Sequence, residues 1–354
     1  MPTLFDPLNL GALTLPNRII MAPLTRSRAG GPRMANALMA EYYAQRATAG
    51  LIISEATSVT PAGVGYNDTP GIWSDEQVEG WKLVTDAVHK AGGRIFMQLW
   101  HVGRISDPMF HNGEPPVGAS AIAAEGHVSL LRPERPYPVP RALETHELAG
   151  VVEAFRKGAE NAKKAGFDGV ELHGANGYLL DQFLQDGSNK RTDQYGGPLE
   201  NRARLMVEAV DATISVFGAD RVGLHIAPRG DAHSMGDSDL KKTFLYVATE
   251  MGKRGIAFLC AREHKGDDWL GPQLKAAFGG VYIANEGFDK ASATDALAKG
   301  EADAVAFGKA FISNPDLVAR LKVDAELNKW NFATFYGKDA TGYTDYPALE
   351  TTSA

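Results

Sequence analysis

Short apolar runs alternate along this chain with longer stretches in which apolar residues recur every three or four positions. Eight runs have the length and near-continuous apolarity of strands covered on both faces: 18–22, 51–55, 94–99, 169–173, 222–227, 256–260, 281–284 and 304–307. Helices are expected between them at 74–91, 145–165, 199–216, 240–253, 290–299 and 316–326. The first carries Val78, Trp81, Val84 and Val88 on one face, opens with Ser74 and Gln77 at capping-box spacing, and stops at Gly92-Gly93. Thr145 is expected to cap the second, and Pro198 suits the first turn of the third. Eight strand-then-helix units imply a (β/α)8 TIM barrel or a doubly wound sheet, and the lack of a G-x-G-x-x-G after the first strand favours the barrel. Such a barrel takes about 250 residues, so 354 leave room for additions. We expect an α/β fold, one domain over 1–354, with two extras. Residues 4–16 read as an amino-terminal hairpin that plugs the barrel. Residues 104–143, rich in Pro and Gly and without periodicity, follow the third strand and are expected as a lid over the carboxyl face.

Composition narrows the class. Hydrophobic residues make up 44% of the chain and charged residues 22%, which suits a packed core. A net charge of -7 argues against nucleic acid or an anionic membrane as partner. One cysteine, Cys260, excludes an internal disulfide and an iron–sulfur site, and its place at the end of an apolar run suggests a buried thiol. No apolar run approaches the roughly 20 residues of a membrane span, and residues 1–6 lack the character of a signal peptide. A soluble, cytoplasmic protein is expected, monomer or homodimer.

Candidate chemistry gathers at the strand ends. The most informative stretch is 166–184, a strand that breaks at Gly174 and Gly177 and restarts as a helical turn. His173, Asn176 and Tyr178 fall at the break, past the carboxyl end of the strand, where parallel α/β proteins bind ligands. Three hydrogen-bond donors so close together suggest a site for a substrate oxygen. Other strand ends carry Pro23-Leu24-Thr25-Arg26, Ser54-Glu55-Ala56-Thr57, Gln98-Leu99-Trp100-His101, His225 and Gly308-Lys309. A polar residue closing one strand is usually a cap; six strand ends sharing the habit point to one polar site over the barrel mouth. Asn285-Glu286-Gly287 and Gly308-Lys309 sit where barrels often bind phosphate.

These residues also resemble a known family from end to end. The stretches Ala22-Pro23-Leu24-Thr25-Arg26, Glu41-Tyr42-Tyr43-Ala44-Gln45-Arg46-Ala47, Thr69-Pro70-Gly71-Ile72-Trp73-Ser74 and Gln98-Leu99-Trp100-His101-Val102-Gly103-Arg104 are similar to those of the Old Yellow Enzyme family of FMN-dependent ene-reductases. So are 50–56, 173–184, Arg191-Thr192-Asp193-Gln194-Tyr195-Gly196-Gly197 and Gly342-Tyr343-Thr344-Asp345-Tyr346-Pro347, with the His-x-x-Asn-x-Tyr form at 173–178. With threonine at 25 and no cysteine cluster, the chain resembles the threonine branch, bacterial N-ethylmaleimide reductase-like.

The resemblance implies a barrel with non-covalent FMN at its carboxyl face, reduced by NADPH or NADH. The flavin N5 then passes hydride to the β-carbon of an activated alkene: an enone, enal, maleimide or nitroalkene. It implies that His173 and Asn176 bind the substrate oxygen and that Tyr178 protonates the α-carbon. Thr25 would meet the flavin O4 edge, and Pro23, Leu24, Ala56 and Gln98 the ring. Tyr66, Trp100 and Tyr336 would shape the substrate pocket, while Gly287, Gly308 and Lys309 hold the phosphate. Three positions depart from the family pattern. His225 replaces an arginine facing the flavin N1–O2 edge, which predicts a flavin potential that varies with pH through His225. Lys309 replaces an arginine at the phosphate, and Glu286 precedes Gly287 where a small residue is usual. Its carboxylate must point away from a phosphate there. Other readings are a nitro or quinone reductase using the same site, a flavin-free barrel lyase, and a protein that stores FMN. The lyase would need a lysine or metal ligands at the strand ends. Lys309 is the only lysine there, no carboxylate–histidine grouping with ligand spacing appears, and no metal is expected.

Overall fold

Each of the eight apolar runs forms a parallel strand. The computed structural model describes residues 1–129, 131–230 and 232–349. In it β1 (Ile19–Met21), β2 (Leu51–Ile53), β3 (Ile95–Trp100), β4 (Gly169–Gly174), β5 (Val222–Ile226), β6 (Phe258–Arg262), β7 (Val281–Asn285) and β8 (Ala304–Phe307) pair in sequence order. β8 returns to β1 and closes a (β/α)8 barrel. Closure leaves no sheet edge, and helices cover the outside, so both faces of every strand are buried.

Alternation along the strands sorts the interior into layers. At the amino end Phe96 and Phe258 pack with ring centroids 5.9 Å apart. Gly169 and Gly223 make room for them: a Cβ on Gly169 would lie 2.3 Å from Phe96, and one on Gly223 2.2 Å from Phe258. The hairpin Leu8–Leu10 and Leu13–Leu15 packs Leu8, Leu10 and Leu15 into the same apolar cluster, and Ala12 N–H donates to the Asp220 carbonyl just before β5. The amino end is thus closed by the expected hairpin. One step along β3, β4 and β5 the interior turns polar, with Gln98, Glu171 and His225.

Helix Asp75–Lys90 has the expected capping box, Ser74 with Gln77. Two expectations need correction. Thr145 does not cap helix Leu148–Lys164; its hydroxyl donates to Asp193 (2.5 Å), and Glu147 instead receives the Glu144 N–H (2.7 Å). The helix expected at 199–216 is two, Leu199–Arg202 and Arg204–Phe217, parted at Ala203. Segment 104–143 folds back over the carboxyl end: Ile105, Ala124, Val128, Leu131 and Tyr137 cluster with Trp100, and Tyr66 and Tyr178 pack against them. Among the described residues no helix is long and apolar enough to cross a membrane.

Candidate active site

The turn after β4 is built by local and long-range hydrogen bonds together. Asn176 (φ +59) and Gly177 (φ +77) both take left-handed backbone, which asparagine and glycine tolerate best. Gly177 N–H donates to Asp181 (2.9 Å), and Gln182 donates to the Gly177 and Val102 carbonyls (2.7 and 3.0 Å). Leu179 N–H donates to the His101 carbonyl (3.0 Å). These bonds reverse the chain at once, so that His173, Asn176 and Tyr178 face one cavity of about 630 Å³ at the barrel mouth.

Burial sets the protonation of this rim. It holds the His173 imidazole well below its ordinary value, helped by the nearby His225, Arg262 and His233, so His173 is neutral. Burial pushes the Tyr178 phenol well above its ordinary value, while a hydrogen bond with Tyr66 pulls it partly back. The hydroxyls of Tyr66 and Tyr178 lie 3.1 Å apart, and the Tyr66 ring stacks on Trp100 at 5.6 Å. Tyr66 therefore stands behind Tyr178 and is not among the residues lining the cavity.

The floor is polar and buried. Parallel register sets His225 beside His173 and Gln98 beside Glu171. The Gln98 side-chain amide donates to Glu171 (2.8 Å) and meets His225 Nδ1 (3.2 Å), while buried His225 Nε2 and Trp100 Nε1 have no partner among the described residues. Cys260 is buried as expected, but beside charge: Glu171, His225 and Cys260 bring potential ligand atoms within 4.8 Å of one another. A carboxylate–histidine grouping thus does form, against the expectation from spacing, because three strands supply it. Gln98 meets one oxygen of the carboxylate and one nitrogen of the imidazole, and burial pushes the Cys260 thiol well above its ordinary value, which holds it protonated.

Pro23, Leu24, Thr25, Ala56, Gly287, Gly308, Lys309 and Tyr336 complete the lining, so the structure brings together every other expected site residue. Arg26 ties two walls: its guanidinium donates to the Phe335 and Gly342 carbonyls (2.9 and 2.7 Å), and its backbone N–H to Glu55 (3.2 Å). The Glu286 carboxylate turns toward Arg262 and His264. Asn285, from the stretch expected at the phosphate, also lines the cavity, and the main residues missed from sequence are Arg262 and Phe335. Arg262 was legible in principle. It continues the inward alternation Phe258, Cys260, Arg262, but β6 runs two residues past the apolar run that marked it.

Comparison with known proteins agrees with this geometry. Residues 3–328 match the model of the NADH:flavin oxidoreductase / NADH oxidase family. The chain is 41% identical over 359 residues to 12-oxophytodienoate reductase 1 of Oryza sativa subsp. japonica, covering 98% of this chain and 93% of that one. It is 41% identical over 372 residues to 12-oxophytodienoate reductase 2 of Arabidopsis thaliana, covering 99% and 96%. Among solved structures, morphinone reductase in complex with tetrahydroNAD superposes with a TM-score of 0.97 at 47% identity, covering 100% of this chain and 99% of that one. The old yellow enzyme homologue from Zymomonas mobilis gives 0.96 at 44%, covering 98% and 100%. A closed barrel with a polar mouth, matched along nearly its whole length by these flavin reductases, belongs to the NADH:flavin oxidoreductase / NADH oxidase family, the Old Yellow Enzyme family, and is an oxidoreductase that uses a flavin and a nicotinamide reductant.

Proposed function

We propose that this chain is an FMN-dependent ene-reductase acting on small activated alkenes. The observation that carries the reading is the convergence of His173, Asn176 and Tyr178 on one cavity whose floor holds Gln98 and His225. A volume of about 630 Å³ lies in the range of cofactor sites. The residues fit FMN at both ends. His225 Nε2 is a buried polar atom without a partner among the described residues, suited to the polar edge of an isoalloxazine. Gly287 (φ +78), Gly308 and Lys309 offer close backbone approach and a cation for a phosphate. Pro23, Leu24 and Ala56 would line the ring, and Thr25 would meet its O4 edge.

When bound, FMN would supply the hydride chemistry that links NADPH or NADH to the β-carbon of an enone, enal, maleimide or nitroalkene. His173 and Asn176 donate to the substrate oxygen, where negative charge collects as that carbon is reduced, and so act as an oxyanion hole. Tyr178 holds its proton at neutral pH and gives it to the α-carbon. Trp100 and Tyr336 bound the substrate space, and Tyr66 supports Tyr178.

The test is an absorption spectrum of the purified protein, then anaerobic addition of NADPH and of cyclohexenone. Visible flavin bands bleached by the nucleotide and restored by the enone are the expected result. A colourless protein that takes up no FMN would overturn the proposal. Bleaching without recovery would shift the substrate to nitro compounds or quinones.

A further inference from the structure

An asparagine amide presents either its oxygen or its NH2 to a ligand, and only the NH2 can stabilise an oxyanion. In this cavity Arg262 makes the choice. Its Nη1 lies 2.9 Å from Asn176 Oδ1. A guanidinium has five N–H donors and no acceptor, so the amide oxygen must face it and Nδ2 must face away. Arg262 is itself held from the other side. Its Nε pairs with Glu286, its Nη2 donates to Glu286 Oε1 (3.1 Å), and His264 lies 3.3 Å from that same oxygen. Glu286 is aimed inward by left-handed backbone (φ +88) at the end of β7. Three strand ends thus join in one line: Glu286 after β7, Arg262 on β6, Asn176 after β4. Arg262 and Asn176 both line the cavity.

We propose that Arg262 is a positioning residue for the reductase reaction. It grips the amide oxygen of Asn176, with Glu286 as its anchor, so that Asn176 offers Nδ2 to the substrate oxygen. The proposal rests on the role given to Asn176 above. It assigns Arg262 no direct contact with substrate, because its charge is already met by Glu286.

The test is a double-mutant cycle with a binding readout. The dissociation constant of 4-nitrophenolate, a stable oxyanion, is measured by titration calorimetry on oxidised holoenzyme at mildly alkaline pH. The rate at which cyclohexenone reoxidises the reduced enzyme is measured beside it. Asn176→Ala and Arg262→Met are each expected to weaken both by about tenfold, the loss of one hydrogen bond to a charged group. In the Asn176→Ala background, Arg262→Met should add less than about twofold. Arg262→Lys should recover part of the loss, and reoxidation by dioxygen, which needs no such donor, should be unchanged. If Arg262→Met sheds flavin because Glu286 is left unpaired, Arg262→Met with Glu286→Gln carries the test. Additive effects, or an Arg262→Met enzyme that behaves as wild type while Asn176→Ala is impaired, would overturn the proposal alone. An unimpaired Asn176→Ala enzyme would overturn the oxyanion role of Asn176 as well.

Discussion

Tyr66→Phe removes one oxygen and should slow only one half of the catalytic cycle. With Tyr178 as proton donor, its phenol gains negative charge as the proton leaves. The Tyr66 hydroxyl lies 3.1 Å away, where it can donate to the phenolate that forms, and its hydrogen bond with Tyr178 lowers the Tyr178 pKa against the upward push of burial. A hydrogen bond to a group acquiring charge is worth about 1.5 kcal/mol, or about tenfold in rate. The ring itself should stay in place. It is stacked on Trp100 with an interplanar angle of 13° and packs edge-on against Tyr178 at 6.5 Å. In anaerobic stopped-flow, reoxidation by cyclohexenone should therefore slow about tenfold, while reduction by NADPH, which needs no proton from Tyr178, stays within about twofold. Tyr178→Phe should slow the enone step by about 10²–10⁴, and the double variant should be no slower than Tyr178→Phe alone. If the two losses add, or if the NADPH step slows as much as the enone step, Tyr66 acts by shaping the pocket and the argument fails.

Three further outcomes are expected. His225→Arg places a permanent cation at the cavity floor beside Gln98 and should raise the two-electron flavin potential, by about 30 mV for each 1.4 kcal/mol of added stabilisation of the reduced form; an unchanged or lower potential would remove His225 from the flavin edge. Burial raises the Asp181 carboxyl to about 7, so its contribution to stability is full below about 4 and is lost as pH rises through about 7. Asp181→Asn should therefore melt with a smaller decline across that window than wild type, and an equal decline would contradict the assignment. Gly169→Ala would set a methyl 2.3 Å from Phe96 and 2.5 Å from the Arg221 carbonyl, and should cost about 1–3 kcal/mol in thermal unfolding. Phe96→Leu in the same chain should return part of that loss.

What the chain decides by itself is what lies close together in it. Apolar runs bounded by turns marked all eight strands, because parallel strands covered on both faces are mostly apolar even where a polar residue enters the barrel. The Ser74–Gln77 capping box was legible because both partners lie within one turn. His173, Asn176 and Tyr178 were legible as a group because one strand end and its turn carry all three. Tertiary structure alone decided the rest. Tyr66 and Tyr178 are 112 residues apart, Gln98 and His225 127, and Arg262 and Asn176 86. Their contacts depend on which strand neighbours which and in what register, and register is set by closure of the whole barrel rather than by any local pattern. The same cause hid the Glu171, His225 and Cys260 grouping, whose members sit on three adjacent strands. Sequence thus determined which side chains stand at the mouth of the barrel, and closure determined which of them touch.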